Sequence, residues 1–336
     1  MKKHLIVTSI SAPNPVLRAL AEGAIGHGFQ FTVVGDTKSP EHFEIEGVDF
    51  LAIKAQRKLP FRLTGLLRER SYARKNLGYL RALQDGADFI LETDDDNFPR
   101  SGFWNTPERE VRGSLVSHEG WSNVYSYFSR ETIWPRGFPL EFLAEQAPVT
   151  GPETIAHCPI QQGLADENPD VDAVYRMTRP LPINFDHREP VILGRQTWCP
   201  FNSQNTIHFP EAYLLMYLPT YCSFRMTDIW RSFVAQRVLW TCGWNLSFHH
   251  ATVWQERNAH NLLNDFTDEV PGYLNNARII ETLSKLDLAE GPEAMAENLV
   301  RCYRSLVELG VVGEQEIPLV EAWIADCGAM RTPNTP

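Results

Sequence analysis

A cationic surface, zinc-spaced cysteines, nucleotide-binding glycine loops and long apolar runs are all missing from this sequence, and each absence removes a class of function. Lys and Arg number 31 against 42 Asp and Glu, a formal net charge of −11. General binding to a phosphate backbone needs a basic surface that releases counterions, so nucleic acid is not an expected partner. An acidic chain that handles a nucleotide diphosphate needs a local remedy, either a bound metal ion or a few placed basic residues. Cys158, Cys199, Cys222, Cys242, Cys302 and Cys327 show no CxxC or other zinc spacing and are read as reduced thiols. Neither GxGxxG nor GxxxxGK[ST] occurs, which argues against a dinucleotide fingerprint and a P-loop. A nucleotidyltransferase is disfavoured for a related reason: no glycine-rich, lysine-containing loop follows the first strand to hold a triphosphate. The apolar run near the start, Leu5-Ile6-Val7, is too short for a signal core or a membrane span. A cytoplasmic location is the default expectation.

What is present is the composition of an ordered globular chain, 43% hydrophobic with nine Trp, which argues against extended disorder. The first hundred residues alternate strand-like and helix-like segments, the pattern of a parallel sheet with crossover helices. Leu5 to Thr8 reads as a strand, and Pro15 to Ile25 as a helix with Asn14 as N-cap. Phe31 to Val34 and Val48 to Ile53 read as further strands. A basic stretch from Lys54 to Arg74 leads into a helix from about Ser71 to Leu83. Phe89-Ile90-Leu91 is then a fourth strand that runs straight into Glu92-Thr93-Asp94-Asp95-Asp96-Asn97. From Trp104 to about Thr220 periodicity is weak, with Val124 to Phe128 as a short strand candidate and Val171 to Arg176 helix-like. Beyond Thr227 the chain turns helical: Asp228 to Trp240, then, after a strand-like Leu246 to Phe248, Leu274 to Leu286, Pro292 to Leu309 and Gln315 to Ala325. The last eight residues are expected to fray. With no repeat or low-complexity linker, the expected organisation is a catalytic unit over 1–255 with a C-terminal helical cap over 256–336 packed on it.

The acidic cluster carries the chemistry. Ligands of open α/β sheets collect outside the carboxyl ends of the strands, where these residues fall. Side chains two apart on an extended segment share a side, so Asp94 and Asp96 are the expected metal ligands. Adjacent carboxylates repel one another, and a hard ion, Mn²⁺ or Mg²⁺, relieves that repulsion while leaving sites for phosphate oxygens. The competing reading is a solvated acidic turn. Thr8, Ser9 and Asp36 close the first two strands on the same edge and are expected, with Asp94 and Asp95, to meet the donor nucleotide. Arg68, Arg70, Arg74 and Lys75 lie just upstream, with a diphosphate as their natural counterpart and Arg74 and Lys75 as the contacts singled out, against a solvated basic face partnered by Glu69. Asp228 opens a helix behind Thr227 as N-cap and is the candidate acceptor-side base, against ordinary first-turn helix stabilisation. His249, from Phe248-His249-His250, is a candidate third metal ligand, although a lone His is more often simply packed. The acidic run Asp166 to Asp172 lacks the glycine and bidentate glutamate of an EF-hand and reads as a structured turn and helix start near the site.

Five segments together resemble the STELLO-type glycosyltransferases. They are Tyr72-Ala73-Arg74-Lys75-Asn76-Leu77-Gly78-Tyr79-Leu80, Glu92 to Asn97, Gly163 to Ala173, Thr227-Asp228-Ile229-Trp230-Arg231 and Gln255-Glu256-Arg257-Asn258. The resemblance implies a GT-A-like, Rossmann-like α/β fold: a mixed sheet flanked by helices, with a C-terminal helical extension. It also implies a nucleotide-sugar donor, expected to be a UDP-sugar, an acceptor that is a glycan, lipid or small molecule, and a metal-binding DxD at Asp94 to Asp96. The chain shows no N-terminal membrane anchor of the kind the plant members carry, so their Golgi setting and cellulose-synthase partnership are not expected here. A more distant resemblance to the reversibly glycosylated polypeptides keeps a sugar-nucleotide mutase open, and a non-catalytic nucleotide-sugar-binding or scaffold protein is the other alternative.

Overall fold

The computed structural model describes residues 1–256 and 261–331. The Arg257-Asn258 half of the last family-like segment, and the final five residues expected to fray, lie outside the described residues. Strand β1 (Lys3–Thr8) alternates its side chains: Leu5 and Val7 face helix α1 (Pro15–His27), while Ile6 faces the opposite core. Helix α1 begins as its sequence dictates. The Asn14 side chain accepts from the Leu17 N–H at 2.8 Å, and Gly28 closes the helix in the left-handed region at φ 71°. Strands β2 (Phe29–Val34) and β3 (Val48–Leu51) follow, then a single turn α2 (Ile53–Gln56).

The helix expected from Ser71 is divided. A 3₁₀ turn over Tyr72–Arg74, capped by the Ser71 hydroxyl, leads into α3 (Lys75–Gln84). A Cβ on Gly78 would stand 2.7 Å from Val34 and 2.8 Å from Ile6, so the absent side chain lets α3 lie directly on the sheet. Strand β4 (Phe89–Thr93) comes next, fully buried.

The weakly periodic middle supplies short strands whose pairing is set by tertiary contact: β5 (Asn97–Pro99), β6 (Glu110–Val116), β7 (Gly120–Trp121), β8 (Glu153–His157) and β9 (Ile160–Asp166). Val124–Tyr127, expected as strand, is a 3₁₀ turn. After α4 (Ala173–Thr178) come β10 (Val191–Leu193), β11 (Thr197–Trp198) and β12 (Asn205–His208). Helix α5 (Thr227–Thr241) is buried at every residue. Its N-cap is Met226, with Thr227 already inside the helix, so the expected Thr227 cap is not formed. Strand β13 (Leu246–Gln255) is far longer than its apolar start suggests. Helices α6 (Leu262–Ser284), α7 (Met295–Glu308) and α8 (Glu316–Arg331) complete the chain.

Among the described residues one eleven-stranded sheet runs β3-β2-β1-β4-β12-β9-β13-β10-β6-β8, with β5 added on β13. Strands β3, β2, β1 and β4 are parallel, as expected from the crossover pattern. Strand β12 then enters antiparallel between β4 and β9, and β13 runs parallel to β9. The result is a mixed sheet flanked by helices, the expected α/β class. Its directions have one consequence for function: the carboxyl ends of β1, β2, β4, β9 and β13 and the start of β12 share one edge.

The C-terminal helices are tied to loops of the sheet by buried carboxylates. Glu316 accepts the Thr220 N–H at 2.9 Å and the Tyr221 N–H at 2.6 Å, and Asp326 accepts the Arg62 and Leu63 N–H groups, each at 2.9 Å. The six cysteines are all free. No helix among the described residues is long and apolar enough to cross a membrane.

Candidate active site

A cavity of about 470 Å³ opens on the shared edge. Thr8, Ser9 and Asp36 line one end, the three aspartates its middle, and Arg136, Asp170, Asp228 and Gln255 the other end. Thr8, Ser9, Asp36, Arg74, Asp94, Asp95, Asp96 and Asp228, all singled out from sequence, are therefore brought together. Lys75 and His249 are not.

The aspartates do not lie on an extended segment. The chain turns after Thr93, with the Asn97 N–H directed at the Asp94 carbonyl at 3.4 Å, so strand alternation does not select Asp94 and Asp96 over Asp95. Each carboxylate is instead held by a different element. Asp94 accepts from the Tyr72 hydroxyl at 2.9 Å, Asp95 from the Ser9 hydroxyl at 2.5 Å, and Asp96 from the Gln255 amide at 3.0 Å. Burial, and after it the Asp96 charge, push the Asp94 carboxyl up from 3.8 to about 7 against the opposing pull of Lys75. Among the described residues no three His, Cys, Asp or Glu side chains are gathered closely enough to hold a metal ion. The donor set nonetheless suits one: the middle of the cavity offers carboxylate oxygens, and a disfavoured negative charge on Asp94 is what a hard cation relieves.

Lys75 lies beneath the cavity, fully buried. Its Nζ donates to the Tyr72 hydroxyl and the Thr93 carbonyl, each at 3.0 Å, and stands 3.6 Å from Glu92 and 3.7 Å from Asp94. It lies under the floor and is not among the side chains that line the cavity, where sequence expected a diphosphate contact. Glu92 is fully buried and anchors this floor, 2.9 Å from Arg231 and 2.9 Å from His208, with the Tyr79 hydroxyl donating to it. Burial alone would raise its carboxyl, but Arg231, Lys75 and His208 hold it well below the usual carboxylate range.

Arg74 reaches the cavity lining, yet its hydrogen bonds point away from it. Nε donates to Gln56 at 2.5 Å and Nη1 to the Leu67 and Arg68 carbonyls at 3.4 and 3.2 Å, while Gln56 donates to the Gly35 carbonyl at 2.6 Å. It braces the loop that precedes the site.

Asp228 is gripped by the Arg136 guanidinium, which donates to its two oxygens at 3.0 and 2.8 Å and forks onto Asp170 at 2.8 and 2.9 Å. The Ile229 and Ser203 N–H groups add to it at 3.0 and 3.3 Å. Burial would raise the Asp228 carboxyl, but Arg136 first, and then Arg231, hold it below its ordinary value. A carboxylate so stabilised in its ionised form is a weak proton acceptor. Its geometry fits a residue that positions Arg136 and Ser203.

His249 sits within β13, six residues before Gln255, with Nε2 2.9 Å from the Ser247 hydroxyl. Burial, with His250 beside it, lowers its imidazole to about 4. It is the far end of this strand that meets the cavity, because the strand continues past the point where its apolar pattern stops; His249 is therefore not brought to the aspartates. Sequence reasoning passed over Tyr72, Arg136, Asp170, Ser203 and Gln255. Tyr72, Asp170 and Gln255 stand inside family-like segments, which was a usable signal; Arg136 and Ser203 have no local signature.

A family model described as STELLO glycosyltransferases matches residues 225–333. Two Arabidopsis thaliana proteins, named probable glycosyltransferases STELLO2 and STELLO1, are 29% and 28% identical over 350 aligned positions, covering 97% of this chain. The chain spans 44% of the length of these relatives.

Proposed function

We propose, from its similarity to the STELLO glycosyltransferases, that this chain transfers a glycosyl group from a nucleoside diphosphate sugar, a UDP-sugar by preference, to a hydroxyl-bearing acceptor. The observation that carries this reading is the single cavity lining that joins the ends of β1 and β2 to Asp94, Asp95 and Asp96 and then to Arg136, Asp170 and Asp228. In an open sheet the first part is where a nucleotide lies, and the last is left for sugar and acceptor. A divalent cation, Mn²⁺ or Mg²⁺, held by Asp94 and Asp96 would supply positive charge against the diphosphate leaving group. The chain's own residues fix the rest. Ser9, Tyr72 and Gln255 orient the three carboxylates, Lys75 offsets their charge from beneath, and the Arg136 fork fixes Asp170 and Asp228 at the sugar end. Such fixed, hydrogen-bonded carboxylates are suited to accept from sugar hydroxyls.

The test is a thermal-shift panel of UDP-, GDP- and dTDP-sugars with and without Mn²⁺, since a ligand bound only by the native state raises apparent stability. One class of nucleotide sugar is expected to raise the melting temperature only with Mn²⁺, and Asp96→Ala is expected to lose both that shift and donor turnover while still folding. Full metal-dependent turnover in that variant would overturn the reading.

A further inference from the structure

Resting on the nucleotide-sugar reading above, we propose that Arg70 is the side chain that binds the donor's diphosphate. The two cations favoured by sequence are already committed, Arg74 to Gln56 and two loop carbonyls, Lys75 to the floor. Arg70 is different in three respects. It lines the cavity together with Ser9, Lys38 and the three aspartates, and it is exposed. No ion pair among the described residues engages it, because its neighbour Glu69 is taken by Arg57 at 2.5 Å. Its backbone stands at φ 56°, a region that residues with a Cβ rarely occupy.

That backbone is imposed from both sides. Arg74 grips the carbonyls of Leu67 and Arg68, and Asp36 accepts the Ser71 N–H at 2.9 Å, so the chain must reverse across residues 69 and 70. Glycine would meet this demand without strain. An arginine at the tip places a planar, permanently charged group with five donors at the mouth of an acidic cavity, beside the nucleotide end. The three aspartates have other partners: Asp94 is held by Tyr72 and Lys75, Asp95 by Ser9 and Asp96 by Gln255. The chemistry that uses it is a phosphate oxygen pair, which a guanidinium can bind bidentately. Lys38, also exposed and on the same wall, adds charge without that geometry.

The test is calorimetric titration of the full chain, with Mn²⁺ present, using UDP, GDP and dTDP and their parent nucleosides, on wild type, Arg70→Gly and Arg70→Lys. Arg70→Gly is expected to melt no lower than wild type, because glycine tolerates φ 56°. Its affinity for the diphosphate is expected to fall about tenfold or more, with nucleoside binding unchanged and Arg70→Lys intermediate. Equal diphosphate affinity in wild type and Arg70→Gly would overturn the assignment, as would parallel losses for diphosphate and nucleoside, which would make Arg70 a loop residue. If wild type binds none of the three diphosphates, the donor reading itself falls, and this assignment with it.

Discussion

Replacing Glu92 by Gln isolates the buried charge balance under the site. Glu92 has no exposed surface, and around it stand Arg231 at 2.9 Å, Lys75 at 3.6 Å and His208 at 2.9 Å. Burial lowers the His208 imidazole more than Glu92 raises it, so His208 is neutral near pH 7 and the two cations are Arg231 and Lys75. The variant keeps the shape and removes the anion between them. Removing one partner of a buried pair typically costs about 3–5 kcal/mol, because the remaining charge is left uncompensated. Against a usual total of about 5–15 kcal/mol this is a large share. The melting temperature of Glu92→Gln should fall by about 4–7 °C at pH 7. The pH dependence follows from the sign of the shift. The folded carboxyl lies below its ordinary 4.5, so its stabilisation is fully present above that value and is lost as pH falls through the lower folded one. The gap between variant and wild type should therefore be constant from pH 6 to 8, on the order of those few kcal/mol, and narrow only in acid. Adding Lys75→Met should cost less in the Glu92→Gln background than in wild type, since the second change removes a stranded cation. A Glu92→Gln melting temperature within about 1 °C of wild type at pH 7 would refute the argument.

Asp94 should behave with the opposite sign. Its carboxyl is raised in the folded chain, so ionised Asp94 destabilises the metal-free protein increasingly as pH rises from 3.8 towards about 7. Asp94→Asn should thus stabilise the chelator-treated protein at pH 8 by about 1–2 kcal/mol, discounted for the partial exposure of the side chain, and change little at pH 4. Added Mn²⁺ should reverse the order by stabilising wild type alone; a variant no more stable than wild type at pH 8 in chelator would refute this. His249→Gln should leave the Mn²⁺-induced shift in melting temperature unchanged, and loss of that shift would restore His249 as a ligand.

The parallel half of the sheet was legible because its signals are local. Leu5 to Thr8, Phe31 to Val34 and Phe89 to Leu91 are apolar runs of strand length, and Asn14 marks a helix start through a side chain that caps it. That Asp94 to Asp96 close a buried strand was readable for the same reason. The mixed half was not: β10 and β12 span only three and four residues, and their partners lie far away in sequence. Strand β13 was read too short because His249 and His250 interrupt its apolar start, although the backbone continues to pair with β9 as far as Trp254. Side-chain commitments are harder still to read. Nothing local distinguishes Arg70, which reaches the cavity, from Arg74, which is spent on loop carbonyls; the difference is made by Gln56 and by where the chain turns. Asp228 was found but its electrostatics were not, since Arg136 arrives from ninety-two residues away.

The carboxylates of α8 impose an order on assembly. Asp326 terminates the N–H groups of Arg62 and Leu63, just ahead of the loop that carries Arg70 and Tyr72, and it is 264 residues from Arg62. During synthesis, which delivers the chain from its N-terminus at roughly 5–20 residues per second, the Ser9 and Asp36 end of the cavity is made well before α8 but cannot be fastened until α8 has emerged. For many seconds the nascent sheet carries an incomplete site with the surface meant for α7 and α8 uncovered. Helix α8 thus secures loops made 264 residues earlier, and ribosome-bound chains stopped before Glu316 should be more exposed to aggregation than chains in which α8 has emerged.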